Sequence, residues 1–268
     1  MSQELYFAIS SSIVLALILL ELRTPSFRRG WFRDRGRAKR NWSYLLGMTS
    51  TVVLVSFATH SFSKWVPSLV RFERPFALDL ILCLLAGELM NYGVHYAQHR
   101  SALLWRIHFP HHRETNYDMW LSAHFNVLAI FVVALWMSAV FSVLGFDPLS
   151  KQIYFLFFTF VGTLHHSSRD YSFGILDWVI VTPAYHRIHH SRHRPGNYSN
   201  SLTFWDVIFG TAIWPWKLGE KTLQFGIASS RVPFGFWSEL AYVFRRGDRL
   251  PAKPVKDWAM QSDNEGAV

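Results

Sequence analysis

Apolar residues in this chain come in runs too long for a water-soluble core of its size. Leu5 to Leu20 carries no charge, Ser43 to Val66 carries only Lys64, and Phe76 to about Gly93 carries Asp79 and Glu88. A helix needs about 20 mostly apolar residues to cross a bilayer, and each run reaches that scale. From Asn126 to His166 only Asp147 and Lys151 are charged, and they sit beside Gly145 and Pro148, which predicts two crossings joined by a tight turn. The expected architecture is therefore all-α and integral to a membrane, with about four to five transmembrane helices. The first run is preceded by Glu4 rather than a basic segment and is not followed by a small-residue cleavage pattern, so it reads as a retained helix and not a signal peptide. With no repeats and no low-complexity stretch, residues 1–268 read as one membrane-embedded domain. Its catalytic core covers about 76–212 and its tail 249–268.

A net charge of +9 raises the question of nucleic acid, and the placement of the basic residues answers it. Between Leu22 and Trp42 lie Arg23, Arg28, Arg29, Arg33, Arg35, Arg37, Lys39 and Arg40 against Asp34 alone. Basic residues flanking apolar runs match anionic headgroups and the positive-inside bias, and the aromatic residues lie in or beside the apolar runs instead of forming stacking platforms. No nucleic-acid partner is expected. Five crossings would put the loop 22–42, the segment 95–125 and everything after His166 on one side, with the short, nearly neutral connections 67–75 and 147–151 opposite. Charge then makes the first side cytoplasmic and the N-terminus external. Cys83, the single cysteine, can form neither an internal disulfide nor a thiolate metal site. Pro233 to Arg246 mixes aromatic and aliphatic residues with Glu239, which suits equally a helix in the membrane interface and ordinary packing on the cytoplasmic domain.

Twelve of the 13 histidines lie between His95 and His193. Their spacing is His95-x3-His99, His108-x2-His111-His112 and His186-x2-His189-His190. On an α-helix, residues three and four apart share a face, so each set aims imidazoles at a common point. Thr182 as N-cap and Pro183 as first helical residue predict a helix start just before His186, with His186, His189 and His190 along one face. His60 and His193 stand alone and read as ordinary polar or hydrogen-bonded residues. Eight unmetallated imidazoles in one place would be a costly concentration of groups titrating near neutral pH. They also exceed the six ligands of one octahedral ion, so two metals are implied, and an all-imidazole set leaves iron or zinc open. So many histidines beside a bilayer suggest a catalytic pair with open positions, and hence redox chemistry on a lipid-soluble substrate.

The strings HYAQH, WRIHFPHH and TPAYHRIHHS, in this order and spacing, resemble the sterol desaturase and fatty acid hydroxylase superfamily, with the nearest resemblance to alkylglycerol monooxygenase-like members. The resemblance implies a cytoplasmic histidine-lined di-iron site, molecular oxygen as co-substrate, and electrons from an external reductase, ferredoxin or cytochrome. It implies His95, His99, His108, His111, His112, His186, His189 and His190 as ligands, and His166, about twenty residues before the last motif, in preference to His165. Asn197-Tyr198 and the segment Phe204 to Thr211 look like the family's closing signature, which makes Asn197 and Asp206 supports of the site. Glu88, seven residues before His95, falls where the family usually has an acidic residue and is expected to hydrogen-bond a ligand imidazole. Asp118 and His124 stand where related members tend to carry Asn and Arg, so His124 is a candidate to replace a substrate-contacting or structural cation.

The expected reaction is O2-dependent hydroxylation of a C–H bond in a fatty acyl, alkyl-glycerol or sterol-like membrane lipid. Desaturation at the same site is the alternative. A metal transporter or scaffold fits less well, because transporters place ligands near the membrane midplane and these histidines lie at or beyond the cytoplasmic end. The chain carries no haem signature, iron–sulfur cysteines or Gly-rich dinucleotide motif of its own.

Overall fold

The computed structural model describes residues 1–28, 35–47, 73–192, 196–218, 223–227 and 235–244. Most of the run Ser43 to Val66, His60, His193 and the tail 249–268 lie outside the described residues. The described chain is helical, without strands, and carries two isolated bridges, Ile180 to Leu202 and Ser191 to Phe225.

Helix α1 (Gln3–Glu21) begins where Ser2 accepts from the Leu5 amide at 3.2 Å. After a helical stretch over 35–47 come α2 (Phe76–Arg100) and α3 (Ala102–His112). Ser101 between them is extended (φ −89°, ψ 132°) and both ends α2 and caps α3, accepting from the Leu104 amide at 3.4 Å. This one-residue joint folds α3 back onto the end of α2. The sparsely charged stretch after Asn126 forms α4 (Val127–Val143) and α5 (Pro148–Leu164). Asn126 and Asp147 are their N-caps, and Pro148 begins α5, so the turn falls where Gly145 and Pro148 predict it. Then follow α6 (Pro183–His189), α7 (Phe204–Ile208) and α8 (Phe236–Val243). Thr182 caps α6 as expected, accepting from the Tyr185 amide at 3.3 Å.

Two helices among the described residues are long and apolar enough to cross a membrane, Glu4–Glu21 and Phe76–Arg100, while α4 is apolar but shorter. Helix α2 packs against α4 and α5 around Cys83, Met137, Phe141, Phe146 and Tyr154. Gly87 permits the close approach, since a Cβ there would lie 2.5 Å from the Tyr154 ring. Asn91 donates to the Tyr154 hydroxyl at 2.6 Å, locking the crossing. At the far end Arg74 pairs with Asp79 at 2.8 Å and donates to the Leu144 and Gly145 carbonyls, tying the α4–α5 turn to the start of α2.

Helix α1 lies along α5 and ends on Glu21, which is fully buried. Its carboxylate accepts from the Ser167 hydroxyl (2.6 Å) and from the Ser168 amide (2.8 Å) and hydroxyl (2.5 Å). The first helix thus holds the turn that carries His165 and His166. Helix α8 packs Phe236, Glu239 and Tyr242 inward and exposes Trp237 (74%) and Phe244 (71%). Packing on the histidine-bearing part therefore accounts for one face of this helix and leaves the other apolar and open.

Candidate metal centre

Nine imidazoles converge in two groups, the eight of the three motifs together with His166. His95, His99, His108, His112 and His189 form one, and His111, His166, His186 and His190 the other, with the ligand nitrogens of each group within 4.8 Å of one another. All nine side chains are buried or nearly so. His165 belongs to neither group and stacks on His186 with ring centroids 3.8 Å apart.

The distribution corrects one expectation. His186, His189 and His190 do not serve a common point: the i,i+4 pair His186 and His190 joins the four-membered group, and His189 turns to the other. On α3 the arrangement is exchanged, with His108 and His112 in the five-membered group and His111 in the second. The reason is angular. Successive helical residues turn by about 100°, so residues four apart nearly eclipse while the one between them points elsewhere. Each H-x2-H-H motif therefore hands two imidazoles to one group and one to its neighbour.

Several rings are fixed in a single tautomer by backbone carbonyls. His95 Nδ1–H donates to the Tyr198 carbonyl at 2.7 Å, His189 Nδ1–H to Gly196 at 2.8 Å, His165 Nδ1–H to Asn200 at 3.0 Å and His166 Nδ1–H to Gly162 at 2.9 Å. In each the Nε2 lone pair is left free. The Nε2 atoms then crowd together: His95 to His108 at 3.1 Å, His108 to His112 at 3.0 Å, His112 to His189 at 3.1 Å, and His111 to His166 at 3.2 Å. Three successive contacts from His95 to His189 have at most two ring protons to share, because both ends are acceptors. His99 Nε2, also buried in this group, has no hydrogen-bond partner among the described residues. Such a cluster fits a cation that accepts imidazole nitrogen. Burial also holds His108, His111, His112, His186, His189 and His190 well below the ordinary histidine pKa, and His166 at about 3, so they present the neutral form a metal requires.

The three carbonyls of Gly196, Tyr198 and Asn200 lie at alternate positions of one segment, so a single short stretch of backbone receives His189, His95 and His165. Asn197 holds that segment from below. It adopts φ 55°, a left-handed conformation asparagine tolerates, accepts from the Ile213 amide at 2.6 Å, and donates to the Tyr185 and Ile213 carbonyls at 2.9 Å. Asp206 accepts from the Tyr198 amide (2.8 Å), the Ser199 amide (2.9 Å), the Thr211 hydroxyl (2.6 Å) and the Tyr185 hydroxyl (3.1 Å). Glu88 departs from its expected role, since its carboxylate meets no imidazole. Oε2 accepts from the Ser201 and Leu202 amides at 2.8 and 3.0 Å, and Oε1 from the Tyr154 hydroxyl at 3.4 Å. It orients the rings only through the backbone that receives them. The carbonyl contacts themselves carry no side-chain signal, and Glu21, which holds the His165–His166 turn, lies outside every motif.

Residues 80–211, close to half of the chain, match the family model for fatty acid hydroxylases, and this region contains all nine imidazoles. This region is a fatty acid hydroxylase domain, and the chain's relatives are members of the sterol desaturase and fatty acid hydroxylase superfamily. Ornithine lipid hydroxylase OlsE of Rhizobium tropici is 26% identical to it, over 97% of this chain and 82% of its own length. The Delta(7)-sterol 5(6)-desaturase erg3B of Aspergillus fumigatus is 27% identical over 77% of this chain and 62% of its own. Human alkylglycerol monooxygenase is 28% identical over 45% of this chain and 27% of its own length. The chain thus spans most of the first relative and less than two thirds of the other two. No solved structure matches it. With this domain and with lipid hydroxylases, monooxygenases and desaturases as relatives, it is a membrane oxidoreductase.

Within this hydroxylase-family chain, Asp118 and His124 are structural. Asp118 pairs with Arg37 at 2.7 Å and caps the short 3₁₀ turn Met119–Ala123, although burial raises its pKa to about 6. His124 donates from Nε2 to Asn41 Oδ1 at 3.0 Å and stacks on Tyr44 with ring centroids 4.2 Å apart. Burial, then the nearby Arg37 and Arg40, lower its pKa to about 3, so it is neutral and does not replace a cation. A base whose pKa falls on folding stabilises the fold above its unfolded value near 6.5 and loses that contribution as pH drops. Between pH 6.5 and pH 5 the loss is roughly 2 kcal/mol. In detergent melts, His124→Phe, which keeps a ring against Tyr44, is expected to flatten the acid limb relative to wild type. An unchanged acid limb would show that His124 is protonated in the fold.

Proposed function

We propose that this chain hydroxylates a C–H bond of a membrane lipid, using molecular oxygen at a centre of two iron ions. His95, His99, His108, His112 and His189 would hold one ion, and His111, His166, His186 and His190 the other. The observation that carries this reading is the division of nine buried imidazoles into two adjacent sets, more than one ion can coordinate. Imidazole nitrogen alone suits iron or zinc, and membership of an iron- and oxygen-dependent family supports iron. When bound, the iron pair supplies the activation of oxygen.

The chain's own residues do the rest. The carbonyls of Gly162, Gly196 and Tyr198 keep three ligand rings in the tautomer whose Nε2 faces inward. Phe125, stacked on His111 at 4.2 Å, and Trp105, beside His99 and His112, exclude water around the rings. Hydroxylation places one oxygen atom of O2 in the C–H bond and reduces the other to water, consuming two electrons and two protons. An external donor must deliver the electrons, because the chain has no redox group of its own in its motifs.

The substrate class we favour is the acyl chain of a polar membrane lipid, on the strength of the ornithine lipid hydroxylase matched over 97% of this chain. Desaturation is the second reading, favoured by the sterol desaturase relative. The topology we propose has about four to five crossings, including α1, α2, α4 and α5, with the histidine side cytoplasmic on the charge asymmetry. The test is expression with a reductase system, followed by mass spectrometry of lipids formed under heavy-oxygen-labelled O2. A lipid gaining one labelled oxygen is the expected product. One losing two hydrogens without label would establish the desaturase, and an unchanged lipid profile from iron-loaded, reduced protein would overturn both readings.

A further inference from the structure

Beside the metal centre the protein leaves a continuous apolar surface open. It comes from the 3₁₀ turn Gly174–Trp178 and helix α7, which are joined edge to edge. The Thr203 amide donates to the Val179 carbonyl at 2.9 Å, the Thr203 hydroxyl to the Trp178 carbonyl at 2.6 Å, and Ile180 bridges Leu202. Ile175 (83% exposed), Leu176, Trp178, Val207 (53%), Ile208 and Phe209 project from this unit. Of its two carboxylates, Asp177 is half-buried and held by local hydrogen bonds, and only Asp206 is fully buried. Asp177 accepts from the Ser172 hydroxyl and the Phe173 amide at 2.7 Å, and Asp206 is buried in the loop behind. A patch of this kind on a folded protein marks an interaction surface.

We propose that this surface docks into the bilayer, at the boundary between headgroups and acyl chains. The proposal rests on the reading of α2 as a membrane crossing. Phe209 stacks on Tyr92 of α2 with ring centroids 5.0 Å apart and planes 18° from parallel, and the Tyr92 hydroxyl lies 3.1 Å from the Thr211 hydroxyl. These contacts fix the depth of the patch. Tyr92 follows Phe76 by sixteen residues, about 24 Å along the helix, close to the far edge of a hydrocarbon layer about 30 Å thick. The patch therefore sits against α2 near the level where the membrane turns polar. Trp178, Trp214 and Trp216 cluster at its rim, with centroids 4.5 to 5.0 Å apart, and tryptophan is the residue best suited to that level. The docked unit is also continuous with the backbone that orients the ligand rings, since Ser201 and Leu202 lie between Asn200 and α7. Lipid contact would thus brace the segment that holds the metal ligands.

The test uses the full-length protein in phosphatidylcholine vesicles, with Cys83→Ser as background. Single variants Ile175→Cys and Val207→Cys carry a nitroxide, with Ile81→Cys on α2 as the lipid reference and Asp170→Cys as the water reference, each checked for wild-type iron content. Accessibility is read by power saturation with O2, which concentrates in lipid, against a water-soluble nickel chelate. The expected ratio of O2 to nickel accessibility at 175 and 207 is several-fold above that at 170 and approaches that at 81. Nickel-dominated accessibility at 175 and 207 with O2-dominated accessibility at 81 would overturn the docking while leaving the crossing intact. Water exposure at 81 as well would overturn the crossing on which it rests. Shielding of 175 and 207 from both reagents, with spin–spin broadening, would show a second copy in place of lipid and also overturn the proposal.

Discussion

Replacing Asp206 by alanine is expected to cost roughly 3–5 kcal/mol of stability and to lower the metal content of the purified protein. The carboxylate is fully buried and receives two backbone amides and two hydroxyls. Alanine would leave all four donors unsatisfied in a place water does not reach, and unsatisfied buried groups cost more than the hydrogen bonds themselves contribute. The consequence reaches the centre because the Tyr198 amide is held by Asp206 while the Tyr198 carbonyl receives His95. Asp206→Asn keeps one acceptor oxygen and should fall between alanine and wild type in both melting midpoint and bound iron. A Asp206→Ala protein with wild-type midpoint and metal content would show that the segment 196–201 is held by other means.

Metal removal should have an effect of the same order. Without a cation, the lone pairs along the chain from His95 to His189 meet at 3.0–3.1 Å with too few protons between them. A ligand bound only to the folded state stabilises it by about 4 kcal/mol when present at a thousandfold excess over its dissociation constant. Dialysis against a strong chelator is therefore expected to lower the melting midpoint clearly, and Fe2+ to restore it. Mg2+, which prefers oxygen ligands, should leave it low. Rescue by Mg2+, or a midpoint indifferent to the chelator, would count against an imidazole-bound transition metal as part of the fold.

The difference between what could be read from the chain and what could not follows the range of each interaction. Thr182 and Pro183 start α6 because capping is local, and Asn126, Asp147 and Pro148 bound α4 and α5 for the same reason. The histidine motifs are visible because their geometry is that of a single helix. Which imidazoles fall into one group was not visible, since the answer depends on how α2, α3 and α6 rotate against each other. Glu88 shows the limit most plainly. Its spacing from His95 places both on one face of α2, yet its partners are the Ser201 and Leu202 amides, 113 and 114 residues away. Glu21 reaches Ser167 and Ser168 across 146 and 147 residues and has no motif around it. His124 reads as a possible cation from its position alone, and only burial beside Arg37 and Arg40 makes it neutral.

The most direct test of a two-iron centre divided between these histidine groups is elemental analysis of detergent-purified protein, with helicity checked for every variant. Wild type and His165→Ala are expected to carry about two irons per chain. The pair His108→Ala with His112→Ala removes two rings from the five-membered group, and the pair His186→Ala with His190→Ala removes two from the other. Each pair should leave about one iron. One metal or none in folded wild type, or both ions lost from His165→Ala while the two pairs keep theirs, would contradict the centre described here.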